Sequence, residues 1–319
     1  MATSGTYNFT VTRDDIIRDA MLNVGKLDPD DSPDPSETSD CARKLQMIVK
    51  QWQGKSDYAP GLKTWSRRRG NLFLSSSTGQ YLVGPGATGW TTDKFIVTTT
   101  SASAVLGAGS IVVTSPTGIV IGSFIGINLS SGDLFWTTVT NVVGSTVSLT
   151  SNLPSAVNSG GTVYAYQVAA QQPQNVEAVV LRDKFNEDIP MKIMLQEEYD
   201  ILPSKTDPVN ISDPTAIYYE FQLGNSNLFI DVAGVIDVTK YLVITYLEPI
   251  QDITNPLDNP EFPVEYYNSL CWELSKQIAP MFRAVWTPEM ESNYKTALAL
   301  GKNKDPQLSR QFFNPGSED

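Results

Sequence analysis

The stretch Asn259–Gly301, NPEFPVEYYNSLCWELSKQIAPMFRAVWTPEMESNYKTALALG, carries the clearest periodic pattern of the chain. Apolar side chains recur in it three and four residues apart, as on one face of an amphipathic helix. This face comprises Tyr267, Leu270, Cys271, Leu274, Ile278 and Phe282, then Met290, Tyr294, Ala297 and Leu298. Pro280 interrupts the pattern, because proline lacks an N–H and clashes with the preceding turn. We therefore predict two helices, the second ending at Gly301.

The start of each of these helices has its own signal. Pro263 suits a first helical turn, where the missing N–H has no partner in any case, and Glu265 adds a negative charge near the positive helix end. Thr287, Pro288 and Glu289 then restart the helix as cap, first-turn proline and first-turn acid. The break at Pro280 thus separates two independently started helices.

Two more helices are predicted near the N-terminus. Thr12 and Asp15 form a capping box ahead of the first helix, which ends at Gly25. The second begins near Ser36 and ends at Gly54, and an Asp- and Pro-rich loop joins the two. Their apolar faces are Ile16, Ile17, Ala20, Met21 and Val24, then Cys41, Leu45, Ile48, Val49 and Trp52. Two short helices around one loop favour an antiparallel hairpin.

The segment from about 89 to 166 has a different composition. Its only charges are Asp93, Lys94 and Asp133, and it is rich in Val, Ile, Thr, Ser and Gly. Short alternating runs recur in it: Phe95–Thr99, Ser110–Thr114, Ser123–Leu129, Phe135–Val142, Thr146–Leu149 and Thr162–Tyr166. Several short strands at this spacing predict a small β-barrel or sandwich, inserted into the rest of the chain.

Strands are predicted on both sides of this insert, with a short helix at Glu197–Leu202. They are Asn71–Leu74, Gln80–Val83, Val176–Leu181, Pro190–Leu195, Ala216–Leu223, Asn227–Val232 and Leu242–Tyr246. The predicted class is α+β: a helical portion, made of the N-terminal hairpin and the C-terminal helices, with an antiparallel β portion and the inserted barrel or sandwich. We expect a core of residues 1–88 and 167–301, an insert of 89–166 and an extended tail of 302–319.

Composition excludes several function classes. The 319 residues are 41% hydrophobic and 18% charged, as in a folded globular protein, and the net charge is −12. Segment 167–319 carries 11 Lys and Arg against 23 Asp and Glu. A nucleic-acid coat or an anionic-membrane binder needs a basic surface instead. We also find no stretch apolar enough to span a bilayer and no secretion signal.

The chain contains no histidine, which removes Ser-His-Asp triads, Cys-His pairs and imidazole metal ligands. Cys41 and Cys271 both fall on apolar helical faces, so we expect small core residues rather than a disulfide or metal site. No phosphate-binding loop motif occurs. We therefore expect no catalytic, cofactor-binding or metal-binding residues. Histidine-free hydrolysis can use paired carboxylates, and the candidate pairs are Glu197 with Glu198 and Asp188 with Glu187. Adjacent acids point in different directions on a strand or helix, so neither pair is strong evidence for a catalytic site.

Three groups of residues allow two interpretations each. Arg67, Arg68 and Arg69 contact either DNA or acidic partners. Trp90, Phe135 and Trp136 form either a platform for a glycan or part of the core of the insert. The third group, Arg310, Phe312 and Phe313, belongs either to a disordered end or to an anchor that orders against a partner.

The order of parts along the chain resembles that of the head-to-tail adaptor, or tail accessory factor, proteins of short-tailed bacteriophages. The resemblance covers nearly the whole chain outside 89–166. It rests on Trp52-Gln53-Gly54, Leu62–Trp65, Gly79–Tyr81, Gln172-Pro173, Val176–Arg182, Asp188–Met191, Glu198-Tyr199, Asp213–Tyr219, Val243–Tyr246 and Asn259–Ile278.

This resemblance implies a structural virion protein without enzymatic activity. It forms a ring, usually of twelve copies, at the head–tail junction, between the portal protein and the tail nozzle, tube or fibres, and is assembled in the host cytoplasm. DNA passes through the lumen without specific binding, and no membrane or cofactor is involved. The resemblance assigns Trp52, Tyr267, Trp272 and Trp286 to subunit or portal packing, and Arg310, Phe312 and Phe313 to portal docking. The alternatives are a peptidoglycan hydrolase and a carbohydrate- or receptor-binding module that reads its ligand through the insert.

Overall fold

The structure, a computed structural model, describes residues 9–56, 59–62, 64–92 and 94–303. Its contacts divide the chain into a helical unit, made of the described parts of Met1–Ser66 and Pro249–Asp319, and a β unit, Arg67–Glu248. The fold mixes helices and sheets, in agreement with the predicted α+β class. The expected boundaries of the insert fall inside the β unit, so the division into core and insert stays a prediction.

The described residues form five α-helices and sixteen strands. The helices are α1 (Arg13–Asn23), α2 (Pro35–Trp52), α3 (Gln196–Asp200), α4 (Tyr267–Ile278) and α5 (Pro288–Asn303). The strands are β1 (Lys55–Ser56), β2 (Ala59–Pro60), β3 (Arg67–Phe73), β4 (Gln80–Val83), β5 (Trp90–Thr92), β6 (Ile96–Thr99), β7 (Ser110–Val112), β8 (Phe124–Asn128), β9 (Leu134–Val143), β10 (Thr146–Leu149), β11 (Thr162–Tyr166), β12 (Asn175–Arg182), β13 (Asp188–Met194), β14 (Ala216–Glu220), β15 (Ser226–Ile230) and β16 (Tyr241–Leu247).

Most helix ends lie where the sequence places them. Thr12 and Asp15 form the predicted capping box of α1. Pro280 lies in the segment between α4 and α5, where an interruption of the helix was expected. The predicted end at Gly301 was wrong, because α5 continues to Asn303. A Cβ atom at this position would lie 2.8 Å from the Ser269 hydroxyl oxygen, so the glycine allows close packing of α5 rather than ending it.

One hydrophobic core holds the helical unit together, with buried residues from α1, α2, α4 and α5. Trp52 is 2% exposed and meets the ring of Phe262 edge-on, with 5.6 Å between ring centroids. Cys41 and Cys271 are free and buried, as predicted, and burial raises their thiol pKa values to about 11 and about 12. The antiparallel pairing of α1 and α2 as a hairpin stays a prediction.

The six strands expected in the insert form one sheet, in the order β6-β11-β8-β9-β10-β7. A bridge between Thr100 and Val113, just beyond the two edge strands, brings these edges together. The sheet is therefore a nearly closed barrel around its own buried core, which confirms the barrel-like reading of this segment.

The second large sheet has eight strands in the order β4-β15-β14-β13-β12-β16-β3-β5. All of its pairs are antiparallel, as predicted for this portion, except β13 with β14, which pair in parallel. The reason is the connection: α3 and the loop after it carry the chain back along the sheet before β14 begins. Strand β5 and the β1–β2 pair were also missed, because their runs of two or three residues are too short to show alternation.

Asp133, in the β8–β9 hairpin, ties the barrel to the loop that follows β3. One carboxylate oxygen accepts hydrogen bonds from the hydroxyls of Ser75, Ser76 and Ser77, at 3.3, 3.0 and 2.5 Å. Its other oxygen accepts one from Ser131 at 3.1 Å. Burial opposes ionisation, yet the four hydroxyls together hold the pKa of Asp133 below its ordinary value.

We predict that Asp133→Ala lowers the free energy of unfolding by about 1–3 kcal/mol at pH 7, because three serine hydroxyls of the loop lose a charged acceptor. A lowered folded-state pKa gives stability that is present above the unfolded pKa and lost as pH falls through the folded one. The difference from the wild type therefore shrinks below about pH 4 in urea unfolding. Asp133→Asn keeps an acceptor oxygen but cannot ionise. If the free energy of unfolding of this variant still rose with pH as it does in the wild type, the pH dependence would not come from Asp133.

Candidate functional site

One cleft of the β unit has a volume of about 860 Å³. Strands β3, β12 and β16 form one wall, and β6 and β11 of the barrel form the other. Lining residues from these strands include Arg69, Asn71, Val97, Thr98, Thr99, Thr162, Tyr164, Arg182, Tyr241 and Val243. The cleft thus combines cationic, hydroxyl-bearing and apolar groups in a volume typical of ligand sites.

Arg182 lies on this wall in a fixed orientation. Its Nε and Nη2 atoms donate to the two carboxylate oxygens of Asp188, at 2.6 and 2.8 Å. The hydrogen bond from Arg182 is the main reason that the pKa of Asp188 lies below its usual range, and the charge of Arg69 adds to the effect. A two-point ion pair of this kind orients the guanidinium more firmly than a single contact does.

The arginine run at the start of β3 separates into paired and unpaired side chains. Arg67 contacts Glu177 at 2.5 Å and Arg68 contacts Glu248 at 3.0 Å, so the prediction of acidic partners is confirmed for both. Arg69 lines the cleft instead. Within the described chain the Arg69 guanidinium makes no hydrogen bond or ion pair, although its charge acts on Asp188. Contact of any of these arginines with DNA stays a prediction.

The expected aromatic platform does not form. Trp90 is 0% exposed and donates from its indole N–H to the Gln171 carbonyl at 3.1 Å. Phe135 packs against the barrel core, and Trp136 packs against Phe73, with ring centroids 5.5 Å apart. The platform interpretation was wrong, because the Trp90 indole is enclosed by the sheet. The alternative, a place in the core of the insert, is confirmed for Phe135 alone, because Trp90 belongs to the core of the eight-stranded sheet and Trp136 to an aromatic cluster with Phe73.

The helical unit has a groove of about 360 Å³ whose lining is mostly apolar and also includes Asp19, Asn23 and Asn268. Tyr267 and Trp272, two of the residues assigned to subunit or portal packing, lie in it beside Phe9 and Val264. Phe9 is 67% exposed and Val264 is 46% exposed, so the rim of the groove offers apolar surface to solvent. Two predicted packing residues are thereby brought together at one concave surface.

The other two assigned packing residues have different surroundings. Trp286 is half-buried beside Trp272, with ring centroids 6.4 Å apart, and its indole N–H donates to Glu291 at 2.9 Å. Lys276 pairs with the same carboxylate at 2.9 Å, and these two contacts hold the pKa of Glu291 below its usual range. Trp52 belongs to the core of its own unit and offers no surface. Arg310, Phe312 and Phe313 lie outside the described residues.

Two of the carboxylates considered for hydrolysis, Glu198 and Asp188, have structural partners. Glu198 caps α3 through the Leu195 N–H and pairs with Lys192 at 2.6 Å. Asp188 is bound to Arg182. Within the described part of the chain, no cluster of three or more acidic or cysteine side chains is arranged to hold a metal ion. Each of these acids therefore has a role in the fold that needs no substrate.

Sequence reasoning missed Asn71, Arg182 and Tyr241 as cleft residues. The only local signal was the spacing of Arg182 and Asp188 across a predicted turn, which places opposite charges on paired strands. Comparisons of the chain with family models and with curated proteins find no match. None of the described helices is both long and apolar enough to cross a membrane.

Proposed function

We propose that this chain is a structural virion protein that forms a ring between the portal and the tail of a bacteriophage, at the head–tail junction. The order of sequence motifs motivates the proposal. The structural observation that carries it is the groove of the helical unit, where Tyr267 and Trp272 lie beside the exposed Phe9 and Val264. Aromatic and aliphatic surfaces of this kind are enriched at the centres of protein interfaces.

A neighbouring copy of the chain is the occupant that we assign to this groove. The helical unit and the β unit each carry a net charge of −6, so copies repel one another at long range. Association must therefore come from apolar burial, and the groove supplies apolar surface. A groove on one copy that receives a different surface of the next gives a head-to-tail contact, which closes into a ring when the rotation per copy divides the circle.

The acidic composition also supports passage of DNA. A lumen of negative charge repels phosphate, whereas a basic lumen releases counterions on binding and retains the DNA. In this proposal the partners are the portal on one side and the tail nozzle, tube or fibres on the other. In this proposal the ring seals the capsid vertex and lets DNA pass, and the chain catalyses no reaction.

Light scattering on the purified full chain tests the proposal, first alone and then mixed with the portal protein of the same phage. We expect a monomer alone and a closed ring on the portal, with twelve copies as the implied number. Val264→Asp places a charge in the groove, so the copies must desolvate it to associate. We expect assembly of this variant to weaken by at least about tenfold, equivalent to ~1.4 kcal/mol per contact.

Val285→Asp is the matched control, because Val285 is 80% exposed in the same unit and does not line the groove. It should assemble like the wild type, and circular dichroism should show both variants folded. A wild-type chain that stays monomeric with its portal would refute the ring. A ring that forms equally well with Val264→Asp would refute the groove as its contact.

A further inference from the structure

The cleft of the β unit has the opposite charge to its surroundings. The unit carries nine Lys and Arg against 15 Asp and Glu. The charged residues that line the cleft are Arg69, Arg182, Lys184 and Asp183. Positive groups gathered in a concave part of an acidic unit attract an anion and raise its local concentration.

The positively charged side chains of the cleft differ in their contacts with other residues of the protein. Asp188 neutralises and orients Arg182. The Lys184 ammonium lies 5.2 Å from the centre of the Phe185 ring. Arg69 is exposed, and its guanidinium makes no hydrogen bond or ion pair within the described chain; its charge acts on Asp188 through space. The fork of Arg69 is therefore available for two-point binding of a carboxylate, a geometry that a guanidinium favours.

The rest of the lining matches a polyhydroxylated ligand. Threonine side chains of the cleft are Thr98, Thr99, Thr114, Thr162 and Thr239. The Thr239 hydroxyl donates to Asp237, and the hydroxyls of Thr99 and Thr114 hydrogen-bond to each other. These hydroxyls keep lone pairs that accept from sugar hydroxyls, whereas a hydroxyl without such a bond both donates and accepts. Phe95 and Val97 add apolar surface against which the C–H face of a sugar packs. The volume of about 860 Å³ is enough for more than one sugar ring.

We propose that this cleft binds an acidic saccharide, with the sugar carboxylate on Arg69 and the sugar hydroxyls on the threonine side chains. Single-stranded nucleic acid fits less well, because bases stack on open aromatic faces. Tyr164 and Tyr241 are only 2% and 8% exposed, so neither offers an open ring face. The site is distinct from the groove of the helical unit, and the proposal does not depend on ring formation.

Titration calorimetry on the full chain tests this site with tetragalacturonate as the probe. Its fully methyl-esterified form, which lacks the charges, acetate and inorganic phosphate are the comparison ligands. We expect tetragalacturonate to bind and each comparison ligand to bind at least about tenfold more weakly. Arg69→Gln should weaken tetragalacturonate binding by about tenfold or more, because the carboxylate loses a charged donor.

Arg68→Gln is the matched control. Arg68 is the next residue on β3, so its side chain points to the opposite face of the sheet, and the charge change is the same. This variant should bind tetragalacturonate within about twofold of the wild type. Absence of tetragalacturonate binding at millimolar concentration, or equal binding by Arg69→Gln, would overturn the proposal. Equal binding of the esterified form, or of acetate or phosphate, would overturn the assignment to an acidic saccharide.

Discussion

Gly70→Ala should lower the free energy of unfolding of the chain by about 3 kcal/mol or more, the upper part of the range for overpacking a core. Gly70 lies in the middle of β3, between β16 and β5. A Cβ atom there would lie 2.1 Å from Cη2 of Trp90, whose indole is completely buried. The added methyl group must therefore displace Trp90 or separate two strands. Urea unfolding followed by far-ultraviolet circular dichroism measures the loss.

Trp90→Phe provides the test of mechanism, because it shortens the ring system that the new methyl group meets. The double variant Gly70→Ala/Trp90→Phe should lose at least ~1 kcal/mol less than the sum of the two single losses, as expected for residues in direct contact. Additive losses would show that Gly70→Ala acts through the strand backbone and not through the indole. Gly70 is thus the space that allows a tryptophan into the sheet.

The sequence predicted the elements better than their assembly. All six strands of the barrel were found, because Gly, Ser, Asn and Pro separate short alternating runs in a segment with few charges. The helices near both ends followed from periodicity and caps. Their union into one unit did not, because no local pattern in α2 encodes that Trp52 packs on Phe262, which is distant in the chain.

The candidate site shows the same limit more strongly. Arg69 was singled out because it belongs to a run of three arginines, yet no pattern in the sequence separates it from Arg67 and Arg68. Strand register makes that separation, because it pairs the other two with Glu177 and Glu248, far along the chain. Trp90 was wrongly predicted as a platform residue for a related reason. Its indole is buried against Gly70, and it fits there only because glycine has no side chain.

Trp52→Ala should lower the free energy of unfolding of the helical unit by about 3–5 kcal/mol, the usual cost of truncating a buried tryptophan. Trp52 is 2% exposed and packs edge-on against Phe262. Alanine leaves a cavity between α2 and the segment ahead of α4, two parts of the chain that meet only in the folded unit. Urea unfolding followed by circular dichroism at the helix signal measures the loss.

Met47→Ala controls for the loss of a large apolar side chain from the same helix, since Met47 is 56% exposed and should cost no more than ~0.5 kcal/mol. The comparison also separates two roles for Trp52. A core residue destabilises the isolated chain when truncated, whereas an interface residue weakens assembly and leaves the monomer stable. If the Trp52→Ala monomer were stable but failed to assemble, Trp52 would have to be assigned to the contact between subunits. Loss of monomer stability would leave Trp272 and Val264, which line the groove, as the residues through which we propose that neighbouring copies associate, because Tyr267 is only 8% exposed and belongs to the same core as Trp52.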